Sequence, residues 1–306
     1  MAKTRRLLLG AAVLAGVLAA AGCTSGSKGS NNTPSGGGDV LKNIKKDSTL
    51  AAQVPAAIAS KRTLKVGTDP SYPPMEYLDP KDNKTVIGAD ADLATAIGKK
   101  LGLTLQMTQS NFDGIITGMQ AGQFDLGISS FYDTKDREQQ VNMVSYLKVP
   151  SAMMVKKGSG IKIASQDDLC GHKAAAESGT TQADFLTAQV DKCKAAGKSL
   201  QADVNYKDQG TANTAVLSGQ DDVVLADEVV IKYYVSQSSA KFEQVGNSWE
   251  PTVYAVCVPK SAPGLEKAIQ GAVNGLIKDG SYGKILKKWD IDSDSVSTSD
   301  INSATS

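Results

Sequence analysis

From Leu64 onward the apolar positions switch repeatedly between a period of two and a period near 3.6. Leu64-Lys65-Val66-Gly67 begins a strand, and Leu93, Ile97 and Leu101 share one face of a helix over Asp90–Leu101. Asp90 can cap that helix, Lys99 and Lys100 suit its last turn, and Gly102 stops it. Leu103–Thr108 alternates as a strand, Asp113–Ala121 is a helix with Ile115, Ile116 and Met119 inward, and Phe124–Ser129 is a third strand. The order recurs in strand Lys173–Ala176, helix Thr181–Cys193, strand Ala202–Tyr206, helix Thr211–Ser218 and strand Asp222–Leu225. A doubled βαβαβ pattern predicts an α/β fold of two similar lobes, each with a parallel sheet and right-handed crossovers.

In open parallel sheets ligands bind beyond the carboxyl ends of the strands. Those ends are Asp69–Tyr72, Asn111-Phe112 and Ser129–Tyr132 in the first lobe, and Glu177–Thr181, Tyr206–Asp208 and Ala226-Asp227 in the second. The chain is expected to leave lobe one near Val149–Ser151, return near Glu250–Thr252, and enter a strand at Tyr254–Val258. Lobe one is then 41–149 with 253–292, lobe two is 150–252, and 293–306 is a polar tail expected to be disordered. A fold with two crossings can hinge.

The N-terminus sets an expected compartment. Lys3, Arg5 and Arg6 precede the apolar stretch Leu7–Ala21, which is short for a membrane span and is followed by Gly22-Cys23. Residues 1–22 read as a signal peptide. Ala20-Ala21-Gly22-Cys23 resembles a bacterial lipobox, with Ala20 where Leu is usual, so Cys23 is the expected lipidation site. Residues 23–40, rich in Ser, Gly, Asn and Thr, read as a flexible tether. The mature protein is expected outside the cell, lipid-anchored on the membrane and touching it through that anchor alone. Losing three of 33 basic residues leaves 30 against 32 acidic ones, a net charge of −2, which is not the footprint of a nucleic-acid binder. Outside the cell a disulfide is permitted. Cys170 precedes one strand and Cys193 ends the following helix, so these two are the expected pair, and Cys257 lies in an apolar strand as a buried thiol. No spacing of Cys with His172 resembles a metal site, His172 falls in an expected surface turn, and no cofactor is indicated.

Four stretches carry a family resemblance: Gly67-Thr68-Asp69-Pro70-Ser71-Tyr72-Pro73-Pro74; Gly88-Ala89-Asp90-Ala91-Asp92-Leu93; Asp125-Leu126-Gly127-Ile128-Ser129-Ser130 leading to Thr134-Lys135-Asp136-Arg137; and Asp279-Gly280-Ser281-Tyr282-Gly283 running on to Trp289. Together they resemble bacterial extracellular solute-binding proteins of family 3, the polar amino-acid receptors of ABC importers. The resemblance spans about Leu64 to Ile291. It implies a two-lobed periplasmic-binding-protein-like fold, a monomer, a small amino acid as ligand and permease subunits as partners. It also implies roles: Arg137, with backbone N–H groups near Thr180 and Thr181, for the ligand carboxylate; Asp227 for its ammonium; Tyr72 and Phe112 as aromatic walls; Ser129, Ser130 and Phe131 along the floor. Asp69 and Glu177 would meet the ligand side chain, which favours a basic amino acid and next a polar one. Ala89, Thr117 and Tyr132 depart from the family's usual aromatic, Pro and small residue.

Other readings are weighed on the same residues. Glu228–Tyr234 is a helix that Asp227 could merely cap, Phe112 could be core, and Arg137 could belong to a solvated charge run. A dehydratase-like enzyme could use Asp69 and Glu177 as acid and base, yet no Ser-His-Asp set or phosphate loop accompanies them. The protein is therefore expected not to be an enzyme, and opines or betaines are the alternative solutes.

Overall fold

The computed structural model describes residues 37–305; the expected signal peptide, Cys23 and most of the tether lie outside the described residues. The last residues assigned to the tether are already helical. Helix α1 (Gly37–Asn43) brings Val40 and Leu41 against the core, and α2 (Ser48–Ala51) is capped by Asp47, whose carboxylate accepts from Thr49 and Leu50 N–H at 2.9 and 3.1 Å. A third short helix, α3 (Ala56–Ala59), leads into the sheet.

Lobe one runs β1 (Thr63–Thr68), β2 (Ser71–Tyr72), β3 (Glu76–Leu78), β4 (Val86–Ile87), α4 (Ala89–Leu101), β5 (Thr104–Gln109), α5 (Ile115–Gln120) and β6 (Leu126–Tyr132). Strand β1 lies between β5 and β6, parallel to both. After α6 (Lys135–Gln140), β7 (Val141–Lys156) carries the chain into lobe two. There β8 (Lys173–Glu177), α7 (Thr181–Ala195), β9 (Gln201–Tyr206), α8 (Gln209–Ser218) and β10 (Val223–Asp227) repeat the design, with β8 between β9 and β10 and parallel to both. Helix α9 (Glu228–Gln237) precedes β11 (Phe242–Pro259), which returns to lobe one, and α10 (Leu265–Lys278) and α11 (Ser281–Lys288) complete it. Two lobes of one topology, joined by two strands, match the expected α/β class.

Strands β7 and β11 belong to both lobes. They pair antiparallel, and they exchange places along their length. In lobe one β11 is inside, against β6, and β7 is at the edge; in lobe two β7 is inside, against β10. The changeover falls where Ser151 faces Trp249 and Val149 faces Thr252, with register breaks and Glu250 at φ 50°. A strand pair that loses register at one place can bend there with little disturbance to the ladders on either side.

Amphipathic helices cover the sheets. In α10 the buried Leu265, Ala268, Ile269, Ala272, Val273 and Leu276 follow the spacing of a single helical face. Leu93, Ile97 and Leu101 are buried in α4, which ends at Gly102 with φ 72°, a left-handed turn that glycine adopts without strain. Asp90 does not cap this helix. Gly88 holds the cap position, while the Asp90 side chain is fully buried and bonded elsewhere.

The polar tail is not disordered. Ile301 bridges Val144 of β7, Ser145 N–H donates to Asp300 C=O at 2.9 Å, and Asn302 N–H donates to Met143 C=O at 2.8 Å. It docks because β7 is the edge of lobe one and presents unpaired backbone groups there. In lobe two Cys170 and Cys193 form the expected disulfide, and Cys257 is a free buried thiol. Replacing both bridged cysteines by serine should lower stability by about 3 kcal/mol through the released loop. Urea unfolding of the double variant checks this, and an unchanged midpoint would show that the bridge does not constrain the unfolded chain.

Candidate functional site

The carboxyl ends of both parallel sheets face one cavity. Asp69 follows β1, Phe112 follows β5, and Ser129, Ser130 and Tyr132 lie on β6. Glu177 ends β8, Thr180, Thr181 and Gln182 open α7, and Asp227 ends β10. Tyr72, Glu76 and Arg137 complete the lining. Of the eleven ligand-contact residues expected from sequence, Phe131 alone is not on the wall. Instead its ring stacks on Phe112 at 4.4 Å between centroids, and the Arg137 guanidinium lies 5.2 Å from it and 5.4 Å from Phe112. Phe131 supports the cation rather than facing a ligand.

Arg137 is nine-tenths buried and spans the lobes. Nη1 donates to the Tyr132 carbonyl at 2.8 Å in lobe one, and Nη2 donates to the Gly179 carbonyl at 3.0 Å in lobe two. Burial lowers its pKa, but an arginine remains cationic at neutral pH. Gly179 has φ +77°, and a Cβ there would meet the Asp113 Cβ at 2.8 Å, so this close approach requires glycine. Ser178 Oγ donates to Asp113 at 3.0 Å beside it. Thr180 is the N-cap of α7, its hydroxyl accepting from Ala183 N–H at 3.2 Å and donating to the Glu177 carbonyl at 2.7 Å. The first N–H groups of a helix have no partner within it, and they add positive potential at this wall.

Asp227 occupies the cap position of α9 but its side chain caps nothing. Oδ1 accepts from Gln182 Nε2 at 2.6 Å and Oδ2 from the Tyr254 hydroxyl at 2.6 Å, while its backbone N–H donates to the Tyr72 hydroxyl at 3.0 Å across the cleft. Burial raises its pKa, and hydrogen bonds from Tyr132, Tyr254, Tyr72 and Gln182 oppose that rise. Gln182 also donates to Ser151 Oγ at 2.9 Å, tying α7 to the crossing strand.

At the floor, Glu76 of the lining and Asp90 behind it form a carboxyl pair that the sequence did not announce. Glu76 accepts from Ser129 Oγ at 3.0 Å and Ser130 Oγ at 3.2 Å. Asp90 accepts from Ser130 N–H at 3.0 Å and from the Tyr146 hydroxyl at 2.8 and 2.9 Å. Burial, then the charge of Asp90, pushes the Glu76 carboxyl far up, so Glu76 holds the proton; burial raises Asp90 only to about 6, because Tyr146, Ser130 and Glu76 donate hydrogen bonds to it. These bonds hold Ser130 at φ 52°, a left-handed conformation unusual for serine, inside a bulge where β6 shifts register against β11.

At the far end stand Asp69 of lobe one and Glu177 of lobe two. Asp69 Oδ2 accepts from Phe112 N–H at 3.1 Å, and Asp69 N–H donates to Ser129 Oγ at 2.9 Å. Glu177 is 3% exposed, and its Oε1 has no hydrogen-bond partner. Burial raises Asp69 to about 6; burial, then the charge of Asp69, raises Glu177 well above the usual range.

The fold and this site define a two-lobed solute-binding protein. The family model for bacterial extracellular solute-binding proteins, family 3, matches residues 64–292, and the chain belongs to that family. Among its relatives is an arginine-binding protein, ArgT, of Corynebacterium glutamicum, 28% identical over 79% of this chain and 79% of that protein. A solved ancestral arginine-binding protein bound to arginine shares 32% identity over 74% of this chain and 97% of its own, with TM-score 0.69. An ancestral amino acid-binding protein described as a precursor of cyclohexadienyl dehydratase shares 28% over 79% of this chain and 99% of its own, with TM-score 0.66.

The carboxyls of Asp69 and Glu177 bind protons more tightly folded than unfolded. Their folded pKa values exceed the unfolded ones near 4, so stability falls as pH rises through that window, which ends near 6 for Asp69 and extends higher for Glu177. The ligand-free protein should therefore melt higher at about pH 5.5 than at about pH 7.5, and Glu177→Gln should flatten this trend. Thermal unfolding at both pH values decides it, and an equally steep trend in the variant would take Glu177 out of the effect.

Proposed function

We propose that this protein is an exported receptor for a cationic amino acid of the arginine class, anchored to the membrane through Cys23 and delivering its ligand to an ABC permease. One observation carries the choice of ligand: the partnerless Oε1 of buried Glu177 in a cavity that also holds Asp69. A buried carboxylate is costly unless paired, and a guanidinium offers donors in a planar fork to two carboxylates at once. The α-carboxylate goes to Arg137 and the first turn of α7, and the α-ammonium goes to Asp227. Tyr72 and Phe112 flank the aliphatic chain. A ligand with a second carboxylate would find no second Lys or Arg among the cavity-lining residues. The arginine-binding relatives support the same reading.

Lobe one comprises 41–149 with 253–292, and lobe two 150–252. They hinge where β7 and β11 change places, so that Arg137 and Asp227 close on one zwitterion. Asp69 and Glu177 act here as a cation clamp rather than as the acid and base of a dehydratase.

Calorimetry with L-arginine, L-lysine, L-glutamine and L-citrulline tests this. L-arginine should bind at least roughly tenfold more tightly than its neutral isostere L-citrulline, as expected for a charge-assisted bond, and Arg137→Ala should weaken it by more than about tenfold. Glu177→Gln should narrow the arginine–citrulline gap. Binding near neutral pH should release protons, seen as a heat that varies with the buffer's ionisation enthalpy. Equal affinity for L-arginine and L-citrulline would remove the cationic reading.

A further inference from the structure

The family match ends at residue 292, yet the chain beyond it reaches the cavity's cation through one short helix. Residues 299–302 lie along the free edge of β7: Ser299 Oγ donates to the Ser145 carbonyl at 2.6 Å, Asp300 N–H donates to Ser145 Oγ at 2.8 Å, and Met143 N–H donates to the Asn302 side chain at 2.8 Å. Past the sheet the strap turns to α6. Ser303 N–H and Oγ donate to Asp133 Oδ2 at 2.8 and 3.0 Å, and Ala304 N–H donates to Glu138 Oε1 at 2.8 Å. Asp133 and Glu138 bracket Arg137, which sits in the six-residue α6, capped by Thr134. Asp133 is 1% exposed and its Oδ1 is unpartnered, while its Oδ2 accepts from both the backbone N–H and the hydroxyl of Ser303.

We propose that residues 303–304 are a positioning strap for the arginine-bearing helix, which makes these two residues, beyond the end of the family match, part of the binding machinery. A helix this short is marginal by itself and depends on tertiary contacts for its placement. Without Ser303 the buried Asp133 carboxylate would have to swing toward water or take up a proton. Either change moves the start of α6 and with it the guanidinium held between Tyr132 and Gly179. Ser299 lies earlier in the same tail and bonds only to the sheet and α10, so it separates edge covering from helix positioning.

The test compares the intact protein, a chain ending at Asn302, and Ser299→Ala. Amide exchange of residues 134–141 in the ligand-free protein should speed up roughly tenfold in the shortened chain while β1 stays protected, and its Kd for L-arginine should rise by a similar factor. Ser299→Ala should lower the melting temperature and leave both readouts unchanged. Unaltered exchange over 134–141 in the shortened chain overturns the proposal, as does an equal acceleration in Ser299→Ala, which would make the strap an edge cover alone. The proposal uses the arginine reading only in its affinity arm. If intact protein takes up no L-arginine, that reading falls, and the exchange arm still decides the strap.

Discussion

The structure depends on a guanidinium held between two lobes by neutral partners. Arg137 donates to one carbonyl from each lobe, so its position is fixed without a carboxylate cancelling its charge. Burial raises the strength of whatever anion arrives. The aromatic pair beneath it supplies packing and a favourable quadrupole. A salt-bridged arginine would have been equally well placed and much less useful.

The opposite end applies the reverse logic. There acidic groups gather: Asp69 and Glu177 come from different lobes, burial raises both, and the charge of Asp69 raises Glu177 further. Lobe contacts such as Gln209 N–H to Ser71 Oγ at 3.2 Å draw these carboxyls together, whereas their own charges oppose it. Under the proposed reading, closure without a ligand is accompanied by protons and closure around a cation is not, so the electrostatics proposed to select the side chain also bias the proposed hinge.

Much of this was legible in the chain because it is local. Element order follows from hydrophobic period, and the strand-end rule placed Asp69, Glu177 and Asp227 at one cavity before any contact was known. What was hidden depends on pairing between distant segments. Glu76 reads as an ordinary residue of a turn-rich stretch, and only the approach of β6 gives it two serine donors. Nothing in the local pattern marks Gln182, and only the approach of β7 and β10 gives it Ser151 and Asp227. Asp90 looks like a cap until the floor closes over it. Phe131 lies on β6 as expected, and only the meeting of β6 with Phe112 and α6 puts its ring under the Arg137 guanidinium.

The tail shows why composition misled at one place. Ser, Asp, Thr and Asn in succession cannot form a core, and composition alone reads as disorder. An edge strand, however, asks for backbone groups and short polar side chains, and these the segment has in abundance. The exchange of β7 and β11 leaves β7 as the edge in lobe one, next to α6. A segment that pairs with that edge is therefore carried to Asp133 and Glu138 by the direction of the strand itself. Covering the edge and touching the binding helix are two consequences of one topological choice.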